Sequence, residues 1–384
     1  MPGWQREVQD LVDAGELNVL GILQEQHGDR ARLFHQWQGL NFPLLVDSFN
    51  ELGVKVVPIH LLLDRAGRIA LVNPRPEAVR AWLQAHPTGK GAAEGSRSAA
   101  TEPLSEAEQH LAAGSAVGLK SHRLDVIVAR LRKATQDEAS AARAWFRLGV
   151  ALRMRFESGG DPADFAASVD SWHRALALDP NQYIWRRRIQ QYGPRLDKPY
   201  PFYDWVETAR AELRARKEQP IPLAVEPRGA ELAQPLRDPA EASPAPTALP
   251  EGWQKVIQDD GLLLAHATVV RDTQGRRAAR VHLELRPNPA RAAHWNNEVE
   301  PARLWLRPAD GWQTSATHFE LPGPASAVSE ELRRVEFELS WPEDVAPNTA
   351  LEAVLLAHVC ENEDGLCVYR RLPIRIQLPN SVPR

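Results

Sequence analysis

The chain has 384 residues, 43% hydrophobic and 25% charged; this is room for two or three globular domains of roughly 150 residues and excludes a fully disordered chain. Net charge is −4, from 46 basic and 50 acidic residues, so no overall positive field exists to hold nucleic acid or an anionic membrane. Two cysteines are too few for a disulfide scaffold and are either inert or one functional pair. No run of about 18 apolar residues occurs, which excludes a membrane-crossing helix. The opening MPGWQRE lacks the pattern of a signal peptide.

Two stretches, 87–103 (small and polar) and 220–250 (Pro- and Ala-rich), read as linkers. They leave blocks at 1–86, 104–219 and 251–384. The first block alternates elements. A helix spans 2–14, with Trp4, Val8, Leu11 and Val12 at helical spacing, then an apolar strand at 18–23. Asp29 is placed to cap a helix to 37. A strand at 43–46 and a helical turn near 49–52 follow, then a hairpin of strands 57–63 and 69–72 around Asp64–Gly67, and a closing helix at 76–86.

That order, with Val57-Pro58 at the head of the hairpin, resembles the redoxin form of the thioredoxin-like fold, the alkyl hydroperoxide reductase and thiol-specific antioxidant family. The matching residues are Val19-Leu-Gly-Ile, Pro43-Leu-Leu-Val-Asp47, Leu52-Gly-Val, Val57-Pro58 and Leu63-Asp-Arg-Ala-Gly67-Arg-Ile69. The resemblance implies a cis peptide at Pro58, with Val57 and Pro58 facing a substrate or partner; proline is the residue for which a cis bond is cheap, at about 0.5–1 kcal/mol. The alternative is a trans proline opening a strand in another α/β sheet. The family's nucleophilic Cys has no counterpart, because residues 1–86 contain no Cys, and neither Ser nor His replaces a thiolate in thiol exchange. Two expectations follow: a non-catalytic redoxin domain, or a true start lying upstream of Met1, of which we take the second.

Block two is helical. Leu124, Ile127, Val128, Leu131 and Ala134 form one apolar face, and Ala142–Gly149 opens a second helix. Trp145, Leu148 and Gly149, followed by Ser168, Trp172, Ala175 and Pro180, resemble a tetratricopeptide repeat with 157–163 as an inserted loop. Helices at 124–135 and 202–218 are its candidate neighbours, and a peptide or protein is the ligand such a repeat implies. The segment 185–205 mixes Arg186, Arg187 and Arg188 with aromatics. Base stacking is one reading; a Pro-rich crossing with the Arg triplet solvated is the one we adopt, and no nucleic-acid partner is expected.

Block three is β-rich, with strands at 262–270, 281–285, 303–306, 335–339 and 351–360. Their density suggests a sandwich of immunoglobulin type. Alternation puts Val335, Phe337 and Leu339 in the core and Glu336 and Glu338 in water. His294–Glu300 reads as a polar loop, and His60 as a satisfied core histidine; His27, His35 and His60 have no metal spacing.

Both cysteines lie in the last hairpin, AHVCENEDGLCVY at 357–369. If Val359 and Val368 continue the strands, Cys360 faces Cys367 within disulfide reach. Three readings stand: a redox-active or structural disulfide, two reduced cysteines, or a metal held with His358, for which no fourth ligand is evident. With its sandwich, the hairpin resembles the N-terminal periplasmic domain of the bacterial thiol:disulfide interchange protein, around Cys360, Gly365, Cys367 and Tyr369; the gap is one residue longer and Val368 precedes the Tyr. Glu361, Glu363 and Asp364 are expected to raise the thiol pKa values. The expectation overall is a multidomain chain of three kinds, an incomplete α/β thioredoxin-like domain, tetratricopeptide-like helices and an all-β sandwich. It exchanges disulfides with a protein thiol partner, or reduces a peroxide, without a cofactor. The alternative is a non-catalytic binding scaffold. As written the chain is cytoplasmic; if the start lies upstream, the resemblance implies a periplasmic or extracytoplasmic site.

Overall fold

The computed structural model describes residues 2–87, 121–137, 141–159, 161–195, 203–227, 261–343, 349–362 and 366–378. Of the expected linkers, 88–103 and 228–250 lie outside them; 220–227 are described, and there the amides of Ile221 and Ala224 bond to Gln36 and Asp29 of the first block. The chain combines helices with several sheets and divides into two compact units. One holds Met1–Ala151, Leu178–Trp185 and Trp205–Glu226; the other holds Leu152–Ala177, Arg186–Asp204 and Pro227–Arg384. Among the described residues no helix is long and apolar enough to cross a membrane.

In the first unit the order is α1 (Pro2–Asp13), β1 (Gly21–Leu23), α2 (Gly28–Gln38), β2 (Leu44–Val46), β3 (Leu61–Leu63), β4 (Ile69–Val72) and α3 (Pro76–Ala85). β1 and β2 are parallel, and β3 and β4 form an antiparallel hairpin. Val8 and Leu11 of α1 and Val79 of α3 bury themselves with Leu62 of β3, and Leu17, Val19 and Leu71 pack against them. The turn between β3 and β4 closes as its residues dictate: Asp64 Oδ1 accepts the amides of Ala66 and Arg68, and Gly67 takes φ +76°, a conformation that favours glycine.

Two local expectations change. Residues 57–60 lie outside the strand, which is limited to Leu61–Leu63, and His60 is half-buried, stacked on Trp4 at 5.2 Å. Asp29 is not the N-cap residue of α2, although its Oδ1 accepts the first-turn amide of Arg30 at 3.0 Å. His27 holds the N-cap position without a side-chain cap, while Asp29 accepts the amide of Ala224 at 2.6 Å, a partner distant in sequence and so invisible to a local reading.

The helical block contributes α4 (Ser121–Ala134), α5 (Ala141–Glu157), α6 (Ala163–Leu178), α7 (Tyr183–Gln190) and α8 (Trp205–Ala215). Its periodic faces are buried, with Leu124, Ile127, Val128 and Leu131 on α4 and Phe165, Val169, Trp172 and Ala175 on α6. The break between α5 and α6 falls where the inserted loop was expected. α8, expected beside the repeat, packs on α2: Trp37 stacks on Trp205 at 5.7 Å and donates its indole N–H to Glu212 at 2.7 Å. The Arg triplet is not solvated. It lies in helix α7, and Arg188 is 1% exposed.

In the second unit, β5 (Leu263–Arg271), β6 (Ala278–Pro287), β12 (Arg333–Ser340) and β9 (Gln313–Thr314) form an antiparallel sheet in the order β5-β6-β12-β9. A six-stranded sheet runs β10 (His318–Leu321), β8 (Ala302–Arg307), β13 (Ala350–Glu361), β7 (Ala293–Asn296) and β11 (Val328–Ser329), with β14 (Cys367–Gln377) also on β13. The antiparallel strands curl as a half-barrel. Leu283, Leu304, Phe337, Leu355 and Ile376 meet in one core.

Glu336 and Glu338 do not simply face water. They are partly buried in ion pairs with Arg280, and the outer face of this sheet carries helical-block residues: Phe165 sits against His282 at 5.1 Å, whose Nε2 is 2.8 Å from the Tyr192 carbonyl oxygen. Alternation identifies the two faces of a strand, but a second packing layer on the outer face leaves no trace in the strand's own pattern.

Candidate functional site: the cysteine hairpin

β13 and β14 pair from Ala350–Gln377 to Cys360–Cys367; β14 alternates and buries Leu372, Ile374 and Ile376 on one face, whereas β13 is buried on both faces from Ala353 to Ala357, with Val354 and Leu356 packed on Trp305. The register sets Val359 opposite Val368, His358 opposite Tyr369, and Cys360 opposite Cys367 as the last pair before the loop. The two sulfurs are bonded, with 3.9 Å between the Cα atoms.

On its other edge the tip of β13 is held by β7, with Val359 opposite Trp295 and Cys360 opposite His294. The expected polar loop at His294–Glu300 therefore begins as a strand. Trp295 is 1% exposed, donates its indole N–H to the Glu331 carbonyl, and lies under the Arg333 guanidinium at 4.3 Å. A single buried Trp anchors the strand, a signal that polar neighbours on both sides conceal.

The pair is asymmetric. Cys360 is 2% exposed, whereas Cys367 is exposed on β14 and follows Leu366, itself 78% exposed. The acidity expected beside the thiols is partly offset, because Glu361 pairs with Arg291 at 2.6 Å; Glu363, Asp364 and Gly365 lie outside the described residues. His358 shares a strand face with Cys360 and rests against Tyr369 at 5.0 Å. Among the described residues no three His, Cys, Asp or Glu side chains are grouped to hold a metal ion.

The second expected site stands in the other unit. The Val57–Pro58 peptide is cis, and both residues are exposed. A cluster the sequence reading passed over follows the C-terminal ends of β1 and β2, where Glu25, His27, Arg30, Ser48 and Asn50 are all buried. It ties loops together: the Ser48 hydroxyl donates to the Glu25 carbonyl at 2.8 Å, and Arg147 reaches Glu51 at 2.6 Å. Its sequence signal is the polar run Gln24–Arg30 directly after an apolar strand.

No protein-family model matches the chain, and no curated protein matches it in sequence.

Proposed function

We propose that the protein is a thiol–disulfide exchange protein in which Cys360 and Cys367 form the reactive pair, carried on an immunoglobulin-like sandwich. The observation that carries this reading is the cross-strand register that sets Cys360 against Cys367, with Cys360 buried and Cys367 exposed. A thiolate of a dithiol protein partner attacks Cys367 Sγ, the accessible sulfur, and forms a mixed disulfide while Cys360 leaves as the thiolate. The partner's second thiol then attacks the mixed disulfide and releases Cys367. The partner loses two electrons and two protons to its new disulfide, and the Cys360/Cys367 pair gains them as two thiols. No cofactor enters this balance. In the same reading residues 1–86 are thioredoxin-like, with Val57 and Pro58 facing a partner, and the helices around Trp145 and Trp172 are tetratricopeptide-like and hold a peptide or protein.

A thiol count with and without reductant, followed by trapping of a mixed disulfide with a thioredoxin probe whose second active-site cysteine is replaced by Ser so that the mixed disulfide persists, tests it. Two additional thiols are expected on reduction, and Cys360→Ser, preloaded at Cys367 with a thiol-exchangeable aromatic disulfide, is expected to trap the probe at least tenfold more than Cys367→Ser. An unchanged thiol count, or equal trapping by both variants, overturns it.

One observation favours a second reading, a non-catalytic binding scaffold: residues 1–86 contain no Cys, so that block has no thiolate nucleophile. Under it the Cys360→Ser/Cys367→Ser double variant retains all partner binding and no exchange activity exists to lose.

A further inference from the structure

The cysteine hairpin offers three metal-ligating side chains that are close in sequence, His358, Cys360 and Cys367, and the tertiary structure adds a fourth. β7 sets His294 directly opposite Cys360 on one edge of β13, while on the other edge β14 sets Cys367 opposite Cys360 and Tyr369 opposite His358. Residues opposed across an antiparallel ladder share a face of the sheet, and so do residues two apart on one strand. Trp295, Ala357 and Val359 belong to the core. His294, His358, Cys360 and Cys367 therefore all stand on the outer face, on three adjacent strands.

The four are near enough to converge. The Cα atoms of Cys360 and Cys367 are 3.9 Å apart, ladder neighbours such as His294 and Cys360 stand about 4.5–5.5 Å apart, and His358 is about 6.5 Å along the strand from Cys360. Tetrahedral zinc, with Zn–S about 2.3 Å and Zn–N about 2.0–2.1 Å, asks for ligand atoms about 3.5 Å from one another. Side chains rising from one face reach that spacing by rotation about χ1 and χ2. Both histidines are half-buried, and among the described residues neither makes a hydrogen bond or an ion pair; His358 rests against the Tyr369 ring. Glu361, next along β13, lies opposite Ala293 on the other face and is held by Arg291. In the disulfide form the two sulfurs are bonded to each other and no three ligands are grouped around a metal position. Reduction changes the donor set. Two bare thiolates side by side, one of them on the buried Cys360, are costly, whereas Zn²⁺ held by two thiolates and two neutral imidazoles carries no net charge.

We propose that the reduced hairpin is a zinc site with His294, His358, Cys360 and Cys367 as its ligands, and that the disulfide and the metal are alternative states of the same cysteine pair. A dithiol reductant, itself oxidised to a disulfide, delivers two electrons and two protons to the Cys360–Cys367 bond and leaves two thiols. Zn²⁺ then displaces both thiol protons to solvent as two Zn–S bonds form, and each imidazole binds through the lone pair of one ring nitrogen. The proposal rests on the exchange reading only for the source of that dithiol. A phosphine reductant replaces it in the test, so loss of metal binding and loss of thiol exchange are read separately.

Zn²⁺ and Co²⁺ alone, added to the full chain in the presence of a phosphine reductant and a competing chromophoric chelator, test the proposal. The reduced chain is expected to bind one Zn²⁺ and, with Co²⁺, to show the visible absorption of a tetrahedral site together with a near-ultraviolet thiolate-to-metal band. The oxidised chain, left with two imidazoles, is expected to bind at least about a hundredfold more weakly. His294→Asn and His358→Asn each remove one ligand and are expected to weaken Zn²⁺ binding by at least about a hundredfold, more than the loss of an outer-shell partner costs, and to shift the Co²⁺ spectrum. A thiol count showing that each variant still forms the Cys360–Cys367 disulfide establishes that its hairpin is folded. Equal binding by reduced and oxidised chains, or unchanged affinity and spectrum in either histidine variant, overturns the proposal.

Discussion

Arg280 reaches Glu336 at 2.7 Å and Glu338 at 3.3 Å, and His282 lies 3.5 Å from Glu336 on its other side. Burial alone raises a carboxyl pKa, but the hydrogen bond and charge of His282, and then those of Arg280, outweigh it and hold Glu336 well below the usual carboxylate range. A carboxylate depressed in the folded state contributes stability that is present above its unfolded pKa, near 4.3, and is lost as pH falls below that value. Glu336→Gln is expected to lower stability at pH 7 by about 1–3 kcal/mol and to flatten the loss on acidification below pH 4, read by denaturant titration at each pH. His173 acts at milder acidity. Burial, then the positive charge of Arg271, lowers its pKa to about 4. The unfolded ring protonates near 6.5, so the unfolded chain binds more protons between these values and stability falls by about 2–3 kcal/mol as pH drops from 6.5 to 4. His173→Gln is expected to remove that slope.

At the scale of elements, the cysteine pair depends on a strand that the sequence disguised. β7 holds the tip of β13 through Trp295 and His294, so Trp295→Ala is expected to cost about 3–5 kcal/mol and to accelerate amide exchange at Val359 and Cys360 before the rest of β13. The cross-link itself spans a sequence separation of 7, for which loop-closure entropy gives about 2–3 kcal/mol. Reducing the pair, or substituting either cysteine by Ser, is expected to lower stability by that amount in chemical denaturation. The hairpin was legible because Cys360 and Cys367 flank turn residues between two alternating runs. β7 was not, because Trp295 is its single large buried residue and it gains its place from β13, more than fifty positions away.

Within each unit, parts of the chain remote in sequence pack on one another. In the first, Trp205 stacks on Trp37; in the second, Arg153 lies over the Phe165 ring at 4.3 Å and the Tyr192 ring at 4.4 Å, and Phe165 meets His282 of β6. Phe165→Ala is therefore expected to speed hydrogen exchange in β6 and β12 as well as in α6; a change confined to α6 would show that helix and sheet do not cooperate. The sequence by itself determined most of the helices and the long strands β5, β6, β12 and β13, since periods of 3.6 and 2 are written into consecutive residues, and it located the hairpin that sets Cys360 beside Cys367; it read helix α7 as part of a Pro-rich crossing. Only the tertiary structure decided that Glu336 is partly buried and Arg188 buried, that α8 serves α2, and that β7 braces the cysteines. Local propensity records which face of an element is apolar, whereas the surface that covers it is chosen by side chains far along the chain.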